Sequence, residues 1–198
     1  MQFEAVKNFI TVKLDKELSS HLSYHSIEHI HDVYKAAEIL AGMEGVKGED
    51  LTILLTAVLF HDSGFLVHQK NHEKISCDFA REYLPKYDYT GEQIEKVCGI
   101  IMATQLPQTP HNILEQIICD ADLDYLGRDD FFAIGNGLFT ELCMYGILEN
   151  EDEWNRLQIR FLESHDYFTP SAIKLRKAKK DEHLQQIKLL VKDTHEEK

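Results

Sequence analysis

The sequence predicts an all-α protein, and three observations lead to that fold class. Glycine and proline, which interrupt helices, are scarce: the 198 residues contain 10 glycines and 4 prolines. Apolar residues recur three and four positions apart through most of the chain, which is the spacing of one helix face. Alternating apolar and polar runs, the signal of half-buried strands, are almost absent. Because no repeat, linker or internal boundary interrupts this pattern, we predict a single-domain helical bundle over residues 1–198.

The first three predicted helices carry the clearest apolar spacing. The first covers about residues 3–18 and the second about residues 26–41. The third covers about residues 50–61, and its run LTILLTAVLF is apolar on nearly every side, which is typical of a buried helix. Ser63 and Gly64 follow and interrupt it. We therefore expect the third helix to be the central, most buried helix of the bundle.

Six further helices are predicted from the same spacing and from the residues at their ends. The ninth begins at Thr169-Pro170, a helix cap followed by a proline in the first turn. It is basic over residues 174–180, which we interpret as a solvated face, and it is expected to fray beyond Lys192. The six helices lie at about residues 71–84, 91–104, 112–126, 128–145, 152–165 and from 170 onward.

Composition narrows the classes of partner. The net charge of −13 argues against a broad surface for nucleic-acid polymers or anionic membranes, because both are polyanions. A small phosphorylated substrate remains compatible with it, and a homodimer is left open. No apolar run approaches the length of a membrane span, and no secretory signal is recognisable. We expect a cytoplasmic protein whose widely spaced cysteines are reduced core residues: Cys77, Cys98, Cys119 and Cys143.

His61 and Asp62 point most directly to chemistry, because they stand side by side at the end of the apolar third helix. An ionised carboxylate in an apolar setting is costly unless it is paired or holds a metal. Imidazole and carboxylate together are ligands that first-row divalent metals accept in sites with open positions. Upstream, His25 and His29 are four residues apart and so share one face of a helix. The pattern predicts a metal enzyme.

A second acidic group lies on the sixth predicted helix, where Asp120, Asp122 and Asp124 alternate with apolar residues. Residues two apart on a helix point to nearly opposite sides. The three carboxylates therefore cannot all face one site, and we expect one to point inward. Whether Asp120 or Asp122 is the inward ligand is left open by the spacing.

These residues resemble the H…HD…D signature of the HD-domain superfamily of metal-dependent phosphohydrolases, over roughly residues 25–129. Residues 24–33, YHSIEHIHDV, are similar to the YHNxxHxxDV segment of cyclic-nucleotide phosphodiesterases, which belong to that superfamily. Ser26 stands where that segment has asparagine. The FHD of residues 60–62 matches the metal-binding FHD of the same enzymes.

Two downstream segments extend the resemblance. The ADL of residues 121–123 resembles the segment that holds the last metal ligand in phosphodiesterases and in stringent-response hydrolases. The DYLGRD of residues 124–129 looks like the DYxxRD segment of HD-type deoxynucleotide triphosphohydrolases. The glutamine-based purine clamp of the phosphodiesterases is not recognisable, so cyclic nucleotides are not an expected substrate.

The resemblance implies an HD-type helical fold and a metal core at about residues 24–129, which C-terminal helices 130–198 complete. It implies four metal ligands, His29, His61, Asp62 and Asp122, with Asp62 as the bridge if a second ion binds. It also implies that His25 protonates the leaving oxygen, so that His25 and Asp62 are the catalytic residues. The expected cofactor is one divalent ion, or two, of manganese, iron, cobalt, nickel, magnesium or zinc. The expected reaction is hydrolysis of a nucleotide or another small phosphate ester by metal-activated water.

Other residues are candidates for supporting roles. His68 and His72 are also four apart, and the resemblance implies that they hold a second metal or contact phosphate. The remaining candidates are expected to support the ligands or to contact the substrate: Asp32, Asp120, Lys70, Tyr125 and Arg128.

The sequence is also compatible with two functions other than phosphate-ester hydrolysis. A minority of HD proteins hold two irons with six side-chain ligands and perform oxygen-dependent cleavage, and His68 and His72 could complete such a set. The chain could also be a non-catalytic, metal-stabilised module that binds nucleotides or regulates a partner.

Overall fold

The computed structural model describes the backbone of residues 1–196 and the side chains of residues 1–191. No strand occurs in residues 1–196, so the predicted all-α class is confirmed. The backbone stays helical as far as Glu196, so the predicted fraying beyond Lys192 is not seen in the described residues. The α-helices within this range are, in chain order, α1 (Phe3–Glu17), α2 (Ile27–Met43), α3 (Glu49–Phe60), α4 (His72–Tyr83), α5 (Gly91–Ala103), α6 (Ile113–Asp122), α7 (Phe131–Met144), α8 (Glu151–Ser164) and α9 (Pro170–Glu196).

Short 3-10 turns are the elements that apolar spacing did not predict. One of them corrects the sixth helix, which ends at Asp122 and not near residue 126. The tighter turn that follows directs the buried Asp124 carboxylate to Arg176, whose guanidinium donates to it at 2.7 and 3.1 Å. This ion pair joins residues far apart in the sequence, so local spacing could not reveal it. The turns lie at Ser63–Leu66, Leu84–Tyr87 and Asp124–Gly127.

The first of two compact units comprises residues 1–20 and 25–123 and contains α1 to α6. In this unit α3 packs against α1, α2, α4, α5 and α6. Every residue of α3 from Ile53 to Phe60 is buried. Burial of each large apolar side chain contributes about 1.5–3 kcal/mol, so this helix anchors the core. The predicted central buried helix is confirmed, and His61-Asp62 follows its last residue.

A local cap marks where α6 begins. The Asn112 side-chain oxygen accepts hydrogen bonds from the backbone N–H groups of Leu114 and Glu115, at 3.0 and 3.1 Å. Such a cap satisfies donors that have no partner within the helix and stabilises the helix by about 1 kcal/mol. The helix then runs for 10 residues and ends at Asp122.

The second compact unit comprises residues 21–24 and the chain from Asp124 onward, with α7, α8 and α9. In this unit α9 packs against α8 and against the 3-10 turn at Asp124–Gly127. The prediction that residues 1–198 form a single domain stays a prediction.

The interpretation of residues 174–180 as a solvated face is wrong in part. Lys180 is only 3% exposed, and its Nζ donates to the backbone carbonyls of Leu162 and His165 at the end of α8. The last carbonyls of a helix carry partial negative charge, so a cation placed there is favourable. Lys180 is therefore a helix cap in the described structure.

Two further expectations concern the burial of the cysteines and the presence of a membrane-spanning helix. All four cysteines are free thiols; Cys77, Cys98 and Cys119 are buried as predicted, whereas Cys143 is only half-buried. Within the described residues, none of the helices combines the length and the apolar character needed to cross a membrane.

Candidate metal centre

Three side chains from three helices of the first unit meet at one point. His29 comes from α2, His61 from the residue after α3, and Asp122 from the end of α6. One ligand atom from each lies within 4.8 Å of the others. The Asp122 Oδ1 atom is 3.1 Å from His29 Nε2 and 3.4 Å from His61 Nε2. Three of the four residues predicted to bind a metal are thus brought together, and Asp122 is the member of the Asp120/Asp122 pair that reaches the histidines.

Asp62 adds a second carboxylate next to the same two histidines. Its Oδ2 atom lies 3.5 Å from His29 Nε2 and 3.4 Å from His61 Nε2. Its other oxygen, Oδ1, lies 3.4 Å from His72 Nε2. The carboxylate therefore presents one oxygen to the cluster and the other to a third histidine.

The spacing of these atoms fits a bound cation better than a set of hydrogen bonds. His61 Nε2 and Asp62 Oδ2 are buried and have no hydrogen-bond partner among the described residues. Their mutual distance of 3.4 Å exceeds the normal length of an N–H···O bond. Two ligand atoms that share one ion at about 2.0–2.2 Å lie about 2.8–3.6 Å apart when they subtend about 90–110° at the ion. Because a buried polar atom without a partner costs about 1–3 kcal/mol, the donor set fits a divalent metal.

The orientation of two imidazoles supports the same assignment. His61 Nδ1 lies 2.7 Å from the Val58 carbonyl oxygen, and His72 Nδ1 lies 3.0 Å from the Gln69 carbonyl oxygen. A carbonyl only accepts hydrogen bonds, so each ring carries a proton on Nδ1. In the neutral ring, Nε2 then presents a lone pair towards the carboxylates. Lone pairs and carboxylates converge without repulsion only around a positive charge, and backbone-anchored imidazoles are common among metal ligands.

The histidines and carboxylates of the cluster shift one another's pKa values. Burial would lower the pKa of His61, but the Asp62 and Asp122 carboxylates outweigh it and raise the pKa to about 9. Burial would raise the pKa values of both carboxyl groups, yet the neighbouring histidines hold each well below its usual range. Without a metal, His61 therefore keeps a second ring proton at neutral pH, whereas a divalent cation would supply that positive charge in its place and leave Nε2 with a lone pair to bind it.

Ser76 holds the His61-Asp62 segment and was not singled out by the sequence. This side chain of α4 is fully buried. Its Oγ donates to the His61 carbonyl at 2.7 Å and accepts from the Gly64 N–H at 2.8 Å. A Cβ on Gly64 would lie 2.1 Å from the His72 carbonyl oxygen, so only glycine fits between the turn and α4. A lone serine inside an amphipathic helix gives no sequence signal for such a role.

Replacing Ser76 by alanine is expected to destabilise the protein by about 1–3 kcal/mol, because it leaves buried backbone groups of His61 and Gly64 without their partner. Urea unfolding measures this change in free energy. Ser164→Ala is the matched control, since Ser164 is exposed and bonds only the Phe161 carbonyl. A Ser76→Ala protein as stable as Ser164→Ala would contradict the bridging role.

Three further histidines, the predicted acid His25 and the pair His68 and His72, lie in different surroundings. The His25 ring stacks on Phe65 with centroids 4.1 Å apart. His72 contacts Asp62, whereas His68 is exposed and its Nδ1 accepts from the Lys70 N–H at 2.8 Å. The structure therefore brings His72 to the cluster and leaves His68 and Lys70 on an exposed loop.

The remaining candidates are distributed over both units. In the first unit, Asp32 is half-buried on α2 and Asp120 is fully buried on α6. In the second unit, Tyr125 stacks on Phe131 at 6.1 Å, and Arg128 forms a two-pronged ion pair with Asp130. Roles for these four residues at the cluster stay predictions.

Comparisons with known proteins identify related folds. The HD domain family model matches residues 26–124, which is half of the chain. No curated protein matches the chain significantly in sequence. A predicted HD superfamily hydrolase from an uncultured Thermotogales bacterium has a TM-score of 0.61 at 18% identity, over 98% of this chain and 92% of that one.

Two further solved structures have the same fold. Bacillus subtilis YpgQ in complex with ADP has a TM-score of 0.66 at 20% identity, over 94% of this chain and 97% of that one. A Lactobacillus plantarum protein has a TM-score of 0.67 at 19% identity, over 96% of this chain and 98% of that one. At these identities the likeness concerns the fold.

Proposed function

Because this chain belongs to the HD domain family, we propose that it is a metal-dependent phosphohydrolase that acts on a nucleotide or another small phosphate ester. The observation that carries the proposal is the convergence of two imidazoles and two carboxylates within the first unit. The Thermotogales protein of similar fold is a predicted hydrolase, which supports the reaction class.

His29, His61, Asp62 and Asp122 would hold the ion. The separations of 3.1–3.5 Å between their facing atoms support this assignment. When bound, a divalent ion supplies a water molecule of lowered pKa and draws electron density from the phosphoryl oxygens. The contact between Asp62 Oδ1 and His72 supports a place for a second ion, but one ion is sufficient for the reaction proposed here.

The chain's own residues supply the remaining steps of the hydrolysis. The oxygen of water forms a bond to phosphorus while the bond from phosphorus to the leaving oxygen breaks, and the leaving oxygen keeps the electron pair. His25 would give that oxygen a proton, because an imidazole is suited to proton transfer near neutral pH. His25 lies beside the cluster, with its ring centroid 6.1 Å from that of His29. The leaving oxygen departs as an alcohol that carries the proton from His25. The phosphate keeps the oxygen of the water, and one proton of that water returns to His25 through solvent.

A nucleotide is the preferred substrate class within this proposal. YpgQ, whose fold is similar, was solved in complex with ADP, and this supports a nucleotide as the substrate of the present chain. The chain's net charge of −13 would repel a phosphorylated substrate at long range, so attraction has to come from local cations. The metal and two exposed residues of the loop before α4, His68 and Lys70, are proposed to supply it.

The test combines elemental analysis with phosphate release. The purified protein is screened against nucleoside mono-, di- and triphosphates and sugar phosphates, with manganese, magnesium, cobalt or nickel added. We expect bound metal and phosphate release that a chelator abolishes and added metal restores. His111→Ala, at an exposed histidine outside the cluster, is expected to behave as the wild type, whereas His29→Ala is expected to lose both metal and activity.

Other outcomes would replace the proposal. Two irons with oxygen-dependent turnover would identify an oxygenase of the di-iron type. Metallated protein that binds nucleotides and releases no phosphate from the whole panel would identify a binding module. Absence of metal after growth and purification in metal-supplemented medium would contradict the assignment of the cluster.

A further inference from the structure

We propose that Phe65 is a positioning residue whose ring orients two histidines beside the metal cluster, His25 and His72. This inference rests on the proposed function for its effect on turnover. The orientation itself is a property of the structure and can be tested separately.

The turn after His61-Asp62 determines where Phe65 lies. Its backbone N–H donates to the Asp62 carbonyl at 3.0 Å, which closes the 3-10 turn. Gly64 lets this turn lie directly against the start of α4, since a Cβ there would meet the His72 backbone at 2.1 Å. The ring that follows Gly64 is therefore held next to the first residue of α4.

The ring of Phe65 forms a compact triangle with two imidazoles. The centroid of Phe65 is 4.1 Å from that of His25, and the planes are inclined by only 20°. The centroid of Phe65 is 4.4 Å from that of His72, with an inclination of 36°. The two imidazole centroids are 6.2 Å apart. Both imidazoles thus contact the same half-buried ring.

Contact with a flat ring restricts what the imidazoles can do. The second side-chain torsion of histidine is broad and twofold, so the ring plane of a half-exposed histidine is poorly determined by the backbone alone. A stacked neighbour favours one plane. For His25 this fixes the direction of the nitrogen that would donate a proton. For His72 it reinforces the approach of Nε2 to Asp62, which the contact between Nδ1 and the Gln69 carbonyl also favours. Leucine would fill similar space but offers no flat face.

The first test measures imidazole orientation without using activity. Metal-loaded wild type, Phe65→Leu, Phe65→Tyr and Phe79→Leu are labelled with diethyl pyrocarbonate, and the labelling rate of each histidine is read by peptide mass spectrometry. Phe79 is the matched control, because it is a half-buried phenylalanine on α4 that stacks on Tyr83, at 6.0 Å. We expect faster labelling of His25 and His72 in Phe65→Leu alone, with unchanged metal content.

The second test asks whether Phe65 acts through His25. Phe65→Leu is expected to lower kcat by about tenfold with little change in KM, because misorientation of an acid affects the chemical step more than binding. Phe65→Tyr retains the ring and is expected to restore kcat. In a His25→Ala background, Phe65→Leu should have little further effect on kcat, since the group that it orients is gone.

The outcomes separate this inference from the proposed function. If the wild type releases no phosphate, the proposed function fails, and the labelling rates alone decide whether Phe65 orients the histidines. Unchanged labelling of His25 and His72 in Phe65→Leu would overturn the inference. So would faster labelling with an unchanged kcat in an active enzyme, or equal losses of kcat from Phe65→Leu with and without His25.

Discussion

Replacing Asp62 by asparagine is expected to abolish stable metal binding and to lower phosphate release by about a thousandfold, since several kcal/mol of transition-state stabilisation are lost. The physical reason is the position of this carboxylate. Its two oxygens face three imidazoles at 3.4–3.5 Å, so it contributes the charge that holds a cation against the desolvation cost of burial. Asparagine retains the shape and removes the charge.

The measurement is metal content after dialysis, together with kcat for the best phosphorylated substrate. Asp78→Asn serves as the control. The Asp78 side chain lies on α4 and is 77% exposed, and this substitution removes the same charge from the chain as Asp62→Asn does. We expect the control to keep both metal and activity. An Asp62→Asn protein that retains stoichiometric metal and most of its turnover would refute the role assigned to this carboxylate.

Replacing Asp122 by asparagine is expected to have an effect of similar size, whereas the same change at Asp120 should leave the metal in place. Asp122 Oδ1 lies 3.1 Å from His29 Nε2 and 3.4 Å from His61 Nε2. Asp120 is two residues away on α6, so its side chain points to nearly the opposite side of the helix. Loss of metal from the Asp122 variant alone would establish which of the two acids is the ligand.

The Asp120 variant has its own expected signature. Asp120 is fully buried, so Asp120→Asn is expected to lower the free energy of unfolding by about 1–3 kcal/mol while metal content stays constant. Elemental analysis and urea unfolding of both variants separate the two effects. The reverse pattern, metal lost from Asp120→Asn and kept in Asp122→Asn, would exchange the assignments.

The sequence was sufficient for the helical fold, since helix formation depends on spacing that is local. The apolar run of the third predicted helix determined its burial from Ile53 to Phe60. The local pattern gave wrong predictions at positions where contacts between residues far apart in the sequence determine the structure. The sixth helix ends four residues before its predicted end because Asp124 turns towards Arg176, and Lys180 is buried because α8 ends beside it.

The same division applies to the candidate site. By itself the sequence predicted a metal site, because a histidine and an aspartate at the end of an apolar helix are costly there unless they bind something. Only the tertiary structure decided that Asp122 reaches the histidines, that His72 and not His68 contacts Asp62, and that Ser76 and Phe65 hold the surrounding groups. Residue types determine the free-energy cost of burying a side chain without a partner, whereas the packing of helices that are distant in the sequence determines which side chains meet.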